Sequence, residues 1–79
     1  MAVSAYVLIE VTPKKVKDVL KGITNLEGVK SARAVTGPYD VIANVEGDDI
    51  GAIGKLVTEK IQDIKGVTRT ITCVAVDIG

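Results

Sequence analysis

The chain repeats itself. Leu26-Glu27-Gly28-Val29 returns 38 positions later as Ile64-Lys65-Gly66-Val67, each time after a helix-period segment and before a strand-like run. Upstream of the two helices, Val7-Leu8-Ile9-Glu10-Val11 and Val41-Ile42-Ala43-Asn44-Val45 match at a shift of 34. The order is β-α-β twice over. It predicts a ferredoxin-like α+β sandwich, a four-stranded antiparallel sheet with two helices on one face. Two copies are too few for a solenoid. No linker or low-complexity stretch is visible, so residues 1–79 read as a single domain.

The first strand, expected from Val3 to Val11, is apolar on both sides, with Ala5, Val7, Ile9 and Val11 one way and Tyr6 and Leu8 the other. Thr12-Pro13 reads as an N-cap with proline at the first helical position. Val16, Val19, Leu20 and Ile23 then recur at i, i+3, i+4 and i+7 as one apolar stripe. The second strand, about Val29 to Thr36, alternates like an edge, and Lys30 and Arg33 protect it from stray pairing. Gly37-Pro38-Tyr39-Asp40 carries turn chemistry and predicts a tight hairpin into a third strand, Val41 to Glu46. Gly47-Asp48-Asp49 caps the second helix, whose buried stripe is Ile50, Ile53, Leu56, Val57, Ile61 and Ile64. Gly51 and Gly54 lie inside that helix, where close approach of another backbone is one reason to keep them. The last strand is expected over Val67 to Ile78, with Thr68, Thr70, Thr72, Val74 and Val76 on one face.

A chain of 79 residues buries only roughly 60–65% of the surface its unfolded form exposes. Yet this one holds 13 Val, 9 Ile and 4 Leu, and its mean hydropathy is positive. That is more apolar surface than one thin core hides. With both helices on one side, the other face of the sheet is bare, and Tyr6, Leu8, Ile42, Val74 and Val76 are expected to share it. Covering that face predicts a two-fold dimer packed sheet to sheet.

The inventory for catalysis is thin. Without histidine and with Cys73 as the single cysteine, Ser-His-Asp and Cys-His arrangements are excluded, as are a disulfide within the chain and a Cys/His metal set. Asp48-Asp49 is explained by its helix N-terminus, and Gly47 to Gly54 lacks the GK[ST] of a phosphate-binding loop. No metal or cofactor is expected. Ten basic residues balance ten acidic ones, and two tyrosines without phenylalanine do not build an aromatic platform for nucleic acid. No run approaches membrane-spanning length and Met1 to Tyr6 lack a basic leader, which predicts a cytoplasmic protein with no membrane partner.

What remains is the hairpin and the threonine-rich strand. Asp40 can hold an ammonium group, Gly37 lets backbone N–H groups approach a carboxylate, and Tyr39 offers a ring and a hydroxyl. Thr68, Thr70 and Thr72 add neutral donors and acceptors. Together they suit a small zwitterion such as an amino acid. An ordinary β-turn beside a threonine-rich strand explains each residue separately, so spacing alone leaves both readings open.

Val35-Thr36-Gly37-Pro38-Tyr39-Asp40-Val41 and Ile64-Lys65-Gly66-Val67-Thr68-Arg69-Thr70-Ile71-Thr72, with the acid-capped helix between them, resemble the C-terminal effector (RAM) domain of Lrp/AsnC transcription regulators. The resemblance runs from Ala5 to Val76. It implies a βαββαβ unit in a dimeric α/β barrel-like assembly, with dimers formed through the sheets and gathered into octamers, decamers or related rings. It also implies amino-acid effectors bound between neighbouring dimers, and it points to Gly37, Tyr39 and Asp40, with Thr70 and Thr72, as ligand-binding residues. The family's helix-turn-helix has no counterpart here. The expectation is therefore a stand-alone, non-enzymatic sensor that partners full-length regulators or binds metabolites by itself. An enzyme of the monooxygenase or isomerase kind on a related barrel, and a ligand-free assembly adaptor, are the competing readings.

Overall fold

The computed structural model of the chain describes residues 2–78. Its elements are β1 (Val3–Val11), α1 (Val16–Thr24), β2 (Val29–Ala34), β3 (Val41–Gly47), α2 (Ile50–Lys55) running directly into a π-helical turn (Leu56–Ile61), and β4 (Val67–Val74). The strands form one antiparallel sheet in the order β2-β3-β1-β4, the ferredoxin-like arrangement. The two aliphatic strands β1 and β3 are thus central and the more polar β2 and β4 are edges. Ala5, Val7 and Ile9 of β1 and Val41, Ala43 and Val45 of β3 are fully buried beneath Val19 and Ile23 of α1 and Ile53 and Ile61 of the second helix. Period-2 alternation in the strands meets period-3.6 alternation in the helices across that plane. Among the described residues no polar side chain is buried.

The internal repeat survives as backbone chemistry. Leu26 and Val29 donate to the carbonyls of Ile23 and Leu26, and 38 positions on, Ile64 and Val67 donate to those of Ile61 and Ile64. Gly28 and Gly66 hold the matching turns at φ +96° and +108°, a region that L side chains resist. The Gly28 carbonyl accepts from Glu46 N–H and the Gly66 carbonyl from Thr12 N–H, both at 2.8 Å. Thr12 and Glu46 are themselves 34 apart, the shift of the duplicated strands. Each helix exit is therefore pinned to the other half, at β3 or just past the end of β1.

That pinning corrects the start of α1. Thr12 gives its N–H to Gly66 and its carbonyl to Lys15 N–H (3.0 Å), so Thr12 to Lys15 form a turn, with Lys14 at φ +75°. The helix begins at Val16, after Lys15, and no side chain caps it. At the second helix Asp49 caps as expected, its Oδ1 accepting from Ala52 N–H at 2.7 Å. Ile50 does not join the buried stripe and is 62% exposed. β2 ends at Ala34 and β4 at Val74, each short of its expected bound.

The register also corrects the makeup of the uncovered face. Tyr6 pairs with Asn44 and Cys73, and Leu8 with Ile42 and Ile71. Directly paired residues share a face. Tyr6, Leu8 and Ile42 thus lie where expected, but β4 contributes Ile71 and Cys73. Val74 pairs with the buried Ala5 and so stands on the helix side. Val76 lies beyond the end of β4 and is 76% exposed. Alternation groups Thr70, Thr72 and Val74 correctly. It does not say which face they take, because Ile71, Cys73 and Ala75 make the opposite set apolar as well.

Candidate functional site

On the helix side, at the free edge of β4, a groove of about 420 Å3 opens between the second helix and the strand. Ile50, Ile53 and Gly54 of α2, Val57 and Thr58 of the π turn, Gln62, and Thr70, Thr72 and Val74 of β4 line it. The helix wall owes its shape to the change of winding. The π turn is closed by Gln62 N–H donating to the Val57 carbonyl at 2.8 Å. Thr58 Oγ1 donates to the Gly54 carbonyl at 2.9 Å, where α winding gives way to π. Such wide turns occur mostly as local features and often at functional sites. Gly54 keeps the groove open, since a Cβ there would meet nothing within 4 Å.

The floor is supplied by strand alternation, which turns both Thr70 and Thr72 toward the helix. Gln62 Nε2 donates to Thr70 Oγ1 at 2.9 Å, bridging the two walls. The lining combines hydroxyls, one amide and aliphatic groups, and it carries no charge. It suits an apolar or neutral polar group. A zwitterion's charged ends must find partners outside it.

The other three expected residues lie elsewhere. Gly37, Tyr39 and Asp40 belong to the loop between β2 and β3, and none of them lines the groove that holds Thr70 and Thr72. Gly37 is at φ +129° with open space around it. Asp40 is held firmly. Its N–H donates to the Ile9 carbonyl and its own carbonyl accepts from Val35 N–H, both at 2.9 Å. Its Oδ2 accepts from Val11 N–H at 2.8 Å. The β1–β3 ladder ends at Ile9↔Val41, so the carboxylate serves the next N–H of β1 in place of a strand carbonyl. Gln62, Ile50, Val57 and Val74 do not stand out in the sequence as site residues. The helical glycines are the available signal, and only Gly54 proves to face open space.

Among the described residues no cluster of three His, Cys, Asp or Glu is arranged to hold a metal. No helix among them is long and apolar enough to cross a membrane.

Residues 4–78 match the model of the Lrp/AsnC ligand binding domain. The chain belongs to that family. An uncharacterized HTH-type transcriptional regulator of Pyrococcus furiosus is 33% identical over 78 residues, which cover 95% of this chain and 52% of the regulator. The chain spans about half the length of the curated regulators it matches first. A Thermus thermophilus protein of known structure is similar at 34% identity and a TM-score of 0.92, over 98% of this chain and 96% of that one. The structure of E. coli AsnC is similar at 25% identity and a TM-score of 0.89, with 96% of this chain and 52% of that chain covered. As an Lrp/AsnC ligand-binding domain, the chain has relatives that are transcriptional regulators, and its βαββαβ sheet is the one they carry.

Proposed function

We propose that this Lrp/AsnC domain is a non-enzymatic, self-associating sensor of a small molecule, and that an amino acid places its side chain in the groove between the second helix and β4. The observation that carries the reading is the groove's chemistry. It presents neutral hydrogen-bonding groups and aliphatic walls, open at the edge of the subunit, in a domain family named for ligand binding. Thr70 and Thr72 touch the ligand in this reading. Gly37, Tyr39 and Asp40 act from a neighbouring subunit, where the Asp40 Oδ1 and the Gly37 backbone meet the ammonium and carboxylate groups. The site is then complete only between copies, and assembly and effector binding become one equilibrium.

Self-association begins on the uncovered sheet face, where Tyr6 is 47% exposed beside Leu8, Ile42 and Ile71. An isologous dimer covers this surface. The enzyme reading loses ground because the space between sheet and helices is filled by aliphatic side chains, leaving no polar interior cavity among the described residues. Full-length Lrp/AsnC regulators are the natural macromolecular partners, through the same face.

The test is a thermal-shift and native mass spectrometry screen against the twenty amino acids. A true effector at 100 times its dissociation constant stabilises the folded state by about 2.7 kcal/mol and adds its mass to a discrete oligomer. Gly54→Leu, which fills the groove, is expected to remove that response while leaving the fold intact. If no amino acid shifts the native protein, the sensor reading fails and a ligand-free adaptor takes its place.

A further inference from the structure

The two edges of the sheet are not alike. β2 is guarded by Lys30 and Arg33, and its pairing is interrupted by a register shift between Val29 and Ser31. β4 has its cation, Arg69, and its register shift, between Glu10 and Val11, only at its start. From Thr68 to Ile78 it carries one cation, Arg69, one anion, Asp77, and no proline. Long, unguarded, β-branched edges recruit another strand. The residues after β4 are more exposed still, with Val76 at 76% and Ile78 at 93%.

The hydrogen-bonding direction of this edge can be read directly. Ala75 N–H donates to the Ser4 carbonyl at 2.8 Å. Odd-numbered residues of β4 therefore face β1, and the even-numbered ones present N–H and C=O outward.

We propose that the free edge of β4 pairs with β4 of a second copy, antiparallel about a two-fold axis at Cys73, joining two sheets into one of eight strands. This goes beyond the sensor reading and stands without any ligand. The charge pairing selects this register among those of its parity, and two further features fix the parity. Residues i and j then meet when they are equally far from Cys73, so Arg69 comes opposite Asp77 of the second copy and like charges are kept apart. Thr72 meets Val74, Thr70 meets Val76 and Thr68 meets Ile78, all even-numbered, so every pair that must exchange hydrogen bonds has its backbone groups pointing outward. Finally, even-numbered side chains lie on the helix side, where Thr70, Thr72 and Val74 already line the groove. Val74 and Val76 of the second copy, opposite Thr72 and Thr70, extend that surface. Residues 75–78, which follow β4, become strand in the process. A shift of the register by one residue would turn the apolar tail away from the groove.

Cys73, exposed in the single chain, meets its own copy as a non-hydrogen-bonded pair at about 4.5 Å between Cα atoms, within disulfide range. Mild oxidation of the purified, ligand-free protein is therefore expected to yield a Cys73–Cys73 linked dimer. Thr72→Pro removes one outward N–H, and Val76→Asp places a charge against the groove at a residue outside every element. Both are expected to abolish the link while the far-UV spectrum stays native. In a Cys73→Ser background, Arg69→Cys combined with Asp77→Cys is expected to give 69–77 linked peptides. The proposal is overturned if no link forms, if linkage survives Val76→Asp (cysteines then meet across the sheet face), or if 69–69 or 77–77 peptides dominate. An edge that serves an unrelated protein's strand gives the first of those results.

Discussion

Asp40 commits its N–H, its carbonyl and one carboxylate oxygen to the chain itself, binding the loop after β2 to the end of β1. It has both a structural role and, through Oδ1, a proposed ligand role, and substitutions can separate them. Asp40→Ala leaves the part-buried Val11 N–H without its acceptor, which is expected to cost about 1–3 kcal/mol in urea denaturation. Asp40→Asn keeps an oxygen for Val11 and is expected to recover most of that stability. The amide has no charge to offer an ammonium group, so effector response should still be weakened at native stability. A full response in the Asn variant would leave Asp40 with its structural role alone.

At the scale of elements, the duplicated turns show what sequence can and cannot foretell. Gly28 and Gly66 follow from the repeated motif, and both occupy positive φ. Their surroundings differ. A Cβ at Gly66 would lie 2.9 Å from Lys15 Cβ and 2.9 Å from Val19 Cγ2, whereas at Gly28 it meets the movable Leu56 Cδ2 at 3.2 Å. Gly66→Ala combines backbone strain with overpacking and is expected to cost roughly 2–5 kcal/mol. Gly28→Ala is expected to cost about 1–3 kcal/mol, mostly strain. Denaturant midpoints of the two variants check the order. The strands, the turns and the buried faces of β1 and β3 were legible because apolar alternation and glycine placement are local signals. The start of α1 was not, since Thr12-Pro13 suits a turn as well as a cap and the deciding bond comes from Gly66, far along the chain. Nor was the π turn, because Ile53, Val57 and Ile61, each four apart, stay buried under either winding. Of the candidate groove, alternation put Thr70 and Thr72 on one face, and only the pairing with Ile9 and Val7 turns that face to the helix. Gln62 was not legible, because its contact with Thr70 depends on how the wide turn ends.

The molecule is a thin sandwich, with helices over one side of the sheet and, among the described residues, nothing over the other. The two proposed interfaces, the open face around Leu8 and the free edge of β4, share no hydrogen bonds, although Cys73, the axis of the edge, also borders the face. Each is two-fold, so a change at one residue acts twice per dimer. Leu8→Lys replaces an anchor of the face whose full burial contributes about 1.5–3 kcal/mol, and it is expected to weaken face pairing by roughly a hundredfold or more. The edge is untouched, and oxidised Cys73 dimers should persist in this variant. Val76→Asp does the reverse, breaking the edge and sparing the face. Native mass spectrometry should therefore find assemblies larger than dimers for the unaltered chain, dimers for either variant alone, and monomers for the two combined. Two distinct two-folds on one subunit either close into a dihedral assembly or run on as a filament. A discrete mass selects closure, and a dimer in the doubly altered chain would reveal a third interface that neither surface explains.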